Sequence, residues 1–227
     1  MNKTKKYVTP SILNVPVLDR RNYINKLVAM GIEWIHYDFM DGIFVPNKAI
    51  EIDEFIKLRK HSAKHIADAH LMVQDVETWI EELINWSDYI TIHYEASSHD
   101  DILKILQKYR HRTKMGIAIK PDTDVEKIKG LIPLTKLVLV MSVEPGKGGQ
   151  KFIPTSLVKV EKIRSLVDEI NMKFANEEKY IPIVIQIDGG IDITTGPHAF
   201  KAGVDAAVSG TFLMNNLSVE TIENIKG

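Results

Sequence analysis

Trp34-Ile35-His36-Tyr37-Asp38-Phe39-Met40-Asp41-Gly42 is the stretch on which the fold turns. Its first part is rich in aromatic and β-branched residues and reads as a strand over 33–38, ended by Gly42 and Pro46. Alternate side chains of a strand share a face, so His36 and Asp38 point the same way. An imidazole and a carboxylate therefore project side by side near the strand's C-terminal end. Alone, such a triplet is more often a pair of polar residues facing solvent. Three later segments reverse that balance.

Outward from this strand, short apolar runs alternate with helical patterns along the chain. Strands are expected at 7–12, 33–38, 65–71, 88–93, 114–119, 136–142, 182–188 and 205–209. Helical spacing falls between them at 18–30, 50–60, 76–86, 99–110, 123–131, 155–173 and 194–202, with a last segment near 216–226. Leu18, Tyr23, Leu27 and Met30 mark the first helix, which Gly31 closes. Leu157, Val160, Ile163, Val167 and Ile170 mark the longest, and the polar stretch from Asn171 to Lys179 reads as a surface elaboration. Strands that alternate with helices pair in parallel. Eight such units in 227 residues imply an α/β fold, a single (β/α)8 TIM barrel forming one domain over 1–227.

Composition narrows the function. Hydrophobic residues make up 44% and charged residues 26%, as in soluble globular proteins, and a net charge of −1 with no basic tail leaves no footprint for nucleic acid. The absence of cysteine excludes a disulfide scaffold and a thiol nucleophile and suits a reducing cytosol. Met1 to Lys6 is basic, but no signal-peptide stretch follows, and the apolar run Leu137 to Met141 is far too short for a membrane span. A cytoplasmic protein with no membrane partner is expected.

In such a barrel the active site lies where strands end and βα loops begin. Polar residues collect there. Ser11 lies in the end of strand 1, His36 and Asp38 end strand 2, Asp68 and His70 lie on strand 3, and His93-Tyr94-Glu95 ends strand 4. Glu144 to Gln150 follows strand 6, Asp188-Gly189-Gly190 ends strand 7, and Gly210-Thr211 follows strand 8. His36, Asp38, His70 and Asp188 offer two imidazoles and two carboxylates, a mixed N/O set suited to one divalent metal ion: Zn, Fe, Mn or Co. Asp68 shares a face with His70, and either orients a ligand or caps a buried polar layer. A cation that polarises a carbonyl, with two acids on opposite faces of an enediolate, suits proton removal from one side and return to the other. The outcome is epimerisation.

Gly146, Gly148, Gly149, Gly189, Gly190 and Gly210, with Thr211, lie in three adjoining loops where backbone N–H groups can approach a phosphate. Lys147 either touches that phosphate or faces water. Met40, Met72 and Met141 follow strand ends; they are either core filler or an apolar cover that excludes water from the substrate.

These residues resemble the ribulose-phosphate 3-epimerase family. The strings PSILN, WIHYDFMDGIFVPN, DAHLMV, HYEA, IAIKPDT, VLVMSVEPGKGGQKFIP, IDGGI and AGVDAAVSGT carry the resemblance, in order, from residue 10 to about 214. The resemblance implies a metal-dependent isomerase of the pentose phosphate pathway that interconverts D-ribulose 5-phosphate and D-xylulose 5-phosphate through a cis-enediolate. It implies His36, Asp38, His70 and Asp188 as ligands, Asp38 and Asp188 as the catalytic acid/base pair on the two faces of C3, Ser11 and His70 as substrate contacts, and a homo-oligomer. Lys147 stands where the family usually has phenylalanine, the loop after Asn47 lacks the usual Gly-Pro turn, and Phe212 to Asn216 is an uncommon ending. These departures bear on the substrate, and D-allulose 6-phosphate is the alternative. A phosphate-binding decarboxylase or synthase would carry Asp-x-Lys-x-x-Asp on a strand, and the chain has no such pattern. A non-catalytic sugar-phosphate-binding barrel is expected to have lost a ligand or an acid.

Overall fold

The computed structural model describes residues 5–178 and 180–227, so four residues of the basic N-terminus and residue 179 of the polar stretch lie outside it. Its strands are β1 (Tyr7–Pro10), β2 (Trp34–Met40), β3 (Ile66–Met72), β4 (Tyr89–His93), β5 (Lys114–Ile119), β6 (Leu137–Met141), β7 (Val184–Asp188) and β8 (Ala206–Ser209). They form one eight-stranded sheet in the order β1-β8-β7-β6-β5-β4-β3-β2, with every pairing parallel. The seam between β1 and β2 closes at a bridge from Ser11 to His36, where the Ile12 N–H donates to the His36 carbonyl at 3.4 Å. The barrel therefore shuts at its C-terminal rim, beside the residues singled out above.

The helices are α1 (Arg20–Ala29), α2 (Ile52–His61), α3 (Val76–Leu83), α4 (His99–Tyr109), α5 (Ser156–Phe174), α6 (Thr195–Ala202), α7 (Thr211–Asn215) and α8 (Val219–Lys226). All seven residues of β2 are buried, because its outer face packs under helices and its inner face fills the barrel. The inner face changes character along the strand. Trp34 stacks on Tyr89 at 4.7 Å between centroids at the N-terminal end, while the next inward residues are His36 and Asp38. An apolar plug thus underlies a polar layer.

Three expectations need correction. Residues 123–131 form no α-helix; the β5–β6 link holds two 3₁₀ turns, Val125–Lys127 and Ile132–Leu134. Val125, Ile128 and Leu131 are buried as an amphipathic helix would have them, but Gly130 weakens that helix and Pro133 cannot continue its hydrogen bonds. Leu18 lies in a 3₁₀ turn before α1 and is 92% exposed, so it is no core residue of that helix. The stretch from Asn171 does more than elaborate the surface: Asn171 Oδ1 accepts from the Tyr180 hydroxyl at 2.6 Å and from the Ile183 N–H at 3.0 Å, leading the chain into β7.

Candidate active site

Strand register brings the expected ligands to one point. His36 pairs with Asp68 and Asp38 with His70 across β2 and β3, and Asp188 comes from the end of β7. One ligand atom from each of His36, Asp38, His70 and Asp188 falls within 4.8 Å of the others. His36 Nε2 lies 3.3 Å from His70 Nδ1 and 3.4 Å from Asp38 Oδ1. His70 Nδ1 lies 3.3 Å from Asp38 Oδ1 and 3.8 Å from Asp188 Oδ2.

The remaining ring nitrogens are already engaged. His36 Nδ1 meets Asp68 Oδ2 at 2.8 Å, which makes it the protonated nitrogen. Gln186 Nε2 donates to the same oxygen at 2.8 Å, and Asp68 is fully buried. Asp68 therefore orients His36. His70 Nε2 faces His93 Nε2 at 2.9 Å, and His93 Nδ1 faces Glu95 Oε2 at 3.1 Å. Sequence reading noted His93 and Glu95 at a strand end but gave them no role. The available signal was the alternation itself, which puts His93 on the inward face with Thr91.

Two ring lone pairs and two carboxylates converging on one point need positive charge between them. Within the protein alone, burial opposes a charge on His36, but Asp38 and Asp68 outweigh it and hold the imidazole well above its usual pKa. Burial likewise disfavours charge on Asp38, yet His36 and His70 hold it far below the usual carboxylate range. Burial pushes Asp188 up, and Asp38 and Asp68 push it further against the pull of His36. His70 is pushed down by burial. This donor set fits a divalent ion: two imidazole nitrogens, two carboxylate oxygens and a fixed tautomer at His36.

The four groups form the floor of a cavity of about 690 Å³. Asp38 and Asp188 open into it, whereas His36 and His70 are fully buried beneath, so His70 meets the centre but not the cavity wall. Ser11 lines the wall and its hydroxyl donates to Asp38 Oδ2 at 2.6 Å. Met40, Met72 and Met141 are buried to within 4% and also line the cavity, so core packing and apolar cover are the same contact.

The cavity is also lined by Gly146, Gly148, Gly149, Gly189, Gly190, Gly210 and Thr211. Gly190 has φ +64°, and a Cβ there would lie 2.5 Å from the Phe152 backbone nitrogen, so glycine is required twice over. The N–H groups of Gly149 and Gly190 meet no backbone acceptor among the described residues, as an anion-binding loop requires. Asn47 Nδ2 donates to the Gly146 carbonyl at 2.7 Å, which ties the loop after β2 to the loop after β6. Lys147 is exposed at the mouth.

A parallel barrel with a polar cavity of this kind at its C-terminal rim has the architecture of a barrel enzyme. Residues 7–214 match the family model described as "Ribulose-phosphate 3 epimerase family". The ribulose-phosphate 3-epimerase of Rhodobacter capsulatus is 36% identical over 95% of this chain and 89% of its own length. That of Eremothecium gossypii is 36% identical over 91% and 85%, and the rice protein named as a cytoplasmic isoform is 33% identical over 90% and 85%. Two solved structures share the fold: a 3-hexulose-6-phosphate synthase (TM-score 0.68, 14% identity, 97% and 98% coverage) and the 3-keto-L-gulonate-6-phosphate decarboxylase of Vibrio cholerae (0.66, 13%, 98% and 96%). The chain belongs to the ribulose-phosphate 3-epimerase family. Among the described residues no helix is long and apolar enough to cross a membrane.

Proposed function

We propose that the protein epimerises D-ribulose 5-phosphate and D-xylulose 5-phosphate at C3, within the pentose phosphate pathway. The observation that carries this reading is the convergence of Asp38 and Asp188, from strands three places apart around the barrel, on a cavity that glycine loops also line. The glycine loops hold the phosphate. His36, Asp38, His70 and Asp188 would hold a divalent ion (Zn, Fe, Mn or Co), which would supply positive charge beside the C2 carbonyl and so acidify the neighbouring C–H. Asp38, kept ionised, takes the C3 proton from one face. Asp188 returns a proton to the other face. In the reverse direction the roles exchange. Ser11 fixes Asp38 through its hydroxyl, and the three methionines exclude water from the enediolate.

A cytoplasmic homo-oligomer with the whole chain as one domain completes the reading. D-allulose 6-phosphate, one carbon longer, is the second substrate candidate. The presence of all four ligand residues speaks against a non-catalytic binding barrel. The test is incubation with D-ribulose 5-phosphate in D₂O, followed by NMR. D-xylulose 5-phosphate with deuterium at C3, abolished by a chelator and by Asp188→Asn, is expected. No product and no exchange from folded, metal-loaded protein would sink the pentose assignment. Turnover surviving in Asp188→Asn would refute the two-acid mechanism.

A further inference from the structure

We propose that Glu95, acting through His93, sets the tautomer of His70 and thereby turns an Nδ1 lone pair toward the metal centre. Neither residue touches the centre. The inference rests on the proposed function for the presence of an ion, but its geometry stands within the protein.

The chain of contacts has a polarity. His70 Nε2 and His93 Nε2 are 2.9 Å apart, so one donates and the other accepts. At the far end His93 Nδ1 lies 3.1 Å from Glu95 Oε2. Burial pushes Glu95 up, but His93, Thr123 and the Lys120 N–H outweigh it and hold the carboxyl down at about 2. A carboxylate only accepts, so the proton of neutral His93 sits on Nδ1. His93 Nε2 then accepts from His70 Nε2–H, and His70 Nδ1 is left with a lone pair. The opposite polarity would aim a His93 lone pair at Glu95, 3.1 Å away, and turn a His70 Nδ1 proton toward Asp38 Oδ1 at the longer distance of 3.3 Å, on the nitrogen that must bind the ion.

The far end is built to hold this arrangement. Glu95 Oε1 accepts from the Lys120 N–H at 2.9 Å and from the Thr123 hydroxyl, which leaves Oε2 alone to face His93. His93 is fully buried, with Phe44 at 5.0 Å between ring centroids. Each ligand histidine thus ends on a carboxylate, His36 directly on Asp68 and His70 through one further imidazole. Glu95 and His93 are positioning residues.

Glu95→Gln is the discriminating variant because it keeps shape and removes charge. With its carbonyl held by the Lys120 N–H and Thr123, its amide N–H₂ would face His93 Nδ1 and reverse every bond in the chain. The first readout is imidazole ¹⁵N NMR of the metal-free protein. Wild type should carry its His70 proton on Nε2 and Glu95→Gln on Nδ1. The second is Co²⁺ affinity by visible absorption, with a loss of about 10- to 100-fold expected for Glu95→Gln. Thr123→Val loosens Glu95 without reversing the chain and should keep the wild-type tautomer. A wild-type His70 protonated on Nδ1 overturns the proposal, whether or not the variants fold. Folded Glu95→Gln with wild-type Co²⁺ affinity also overturns it. Wild type with the stated tautomer but no Co²⁺ binding would instead remove the metal reading and leave the relay standing.

Discussion

Gly190→Ala should damage both stability and substrate affinity, for separable reasons. Gly190 sits at φ +64°, where an alanine costs about 1–2 kcal/mol. Its Cβ would also lie 2.5 Å from the Phe152 nitrogen and 2.8 Å from the Phe152 Cα, both backbone atoms that no rotamer change can clear. Relief requires the loop after β6 or the loop after β7 to move, at a further cost of about 1–3 kcal/mol, the usual range for overpacking. The sum is about 2–5 kcal/mol. Gly31→Ala is the control. Gly31 has φ +89° with nothing within 4 Å of a Cβ, so it carries backbone strain alone, about 1–2 kcal/mol. Urea unfolding at matched slopes should separate the two variants by about 1–3 kcal/mol. Steady-state kinetics should show KM for the ketose phosphate raised at least about tenfold in Gly190→Ala, equivalent to about 1.4 kcal/mol, and unchanged in Gly31→Ala. A Gly190→Ala protein no less stable than Gly31→Ala would refute the backbone contact. An unchanged KM in a destabilised Gly190→Ala protein would refute the phosphate role of that loop.

Asp68→Asn should fold but bind metal about 10- to 100-fold more weakly, because His36 Nδ1 loses its charged partner; competition with a chromophoric chelator reads the affinity. His65 gives a pH signature of stability. Burial pushes it down to about 4, with the Ala63 carbonyl bond opposing and Arg59 adding to the shift. Its folded pKa lies below the unfolded value of about 6.5, so the unfolded chain binds the proton first. The contribution is therefore complete above pH 6.5 and is lost as pH falls from there toward 4, up to about 3 kcal/mol. Urea midpoints of wild type and His65→Gln across that window should converge as the pH is lowered, and parallel curves would contradict the assignment.

Much of the barrel was legible because each strand carries its own signal. Apolar runs separated by helical spacing report element type without any knowledge of neighbours, and all eight strands lie within two residues of their expected ends. The convergence of His36, Asp38, His70 and Asp188 was legible for the same reason: parallel barrels gather strand C-termini at one rim, so polar residues at those ends meet. The glycine loops were visible as composition, and their φ values and open N–H groups agree with it.

What the sequence could not supply depends on pairing between elements. Residues 123–131 have helical spacing, yet a link closed by Gly130 and Pro133 settled into 3₁₀ turns instead. His93 and Glu95 stand only two apart in the sequence, but their role depends on the register of β3 against β4. That register, His70 beside Thr91, seats His93 one inward step above, within 2.9 Å of His70. Inward alternation is a property of one strand and can be read along the chain. Register is fixed by side chains packing across the barrel, so only the folded barrel decides which imidazole meets which, and which nitrogen is left to face the point where His36, Asp38 and Asp188 converge.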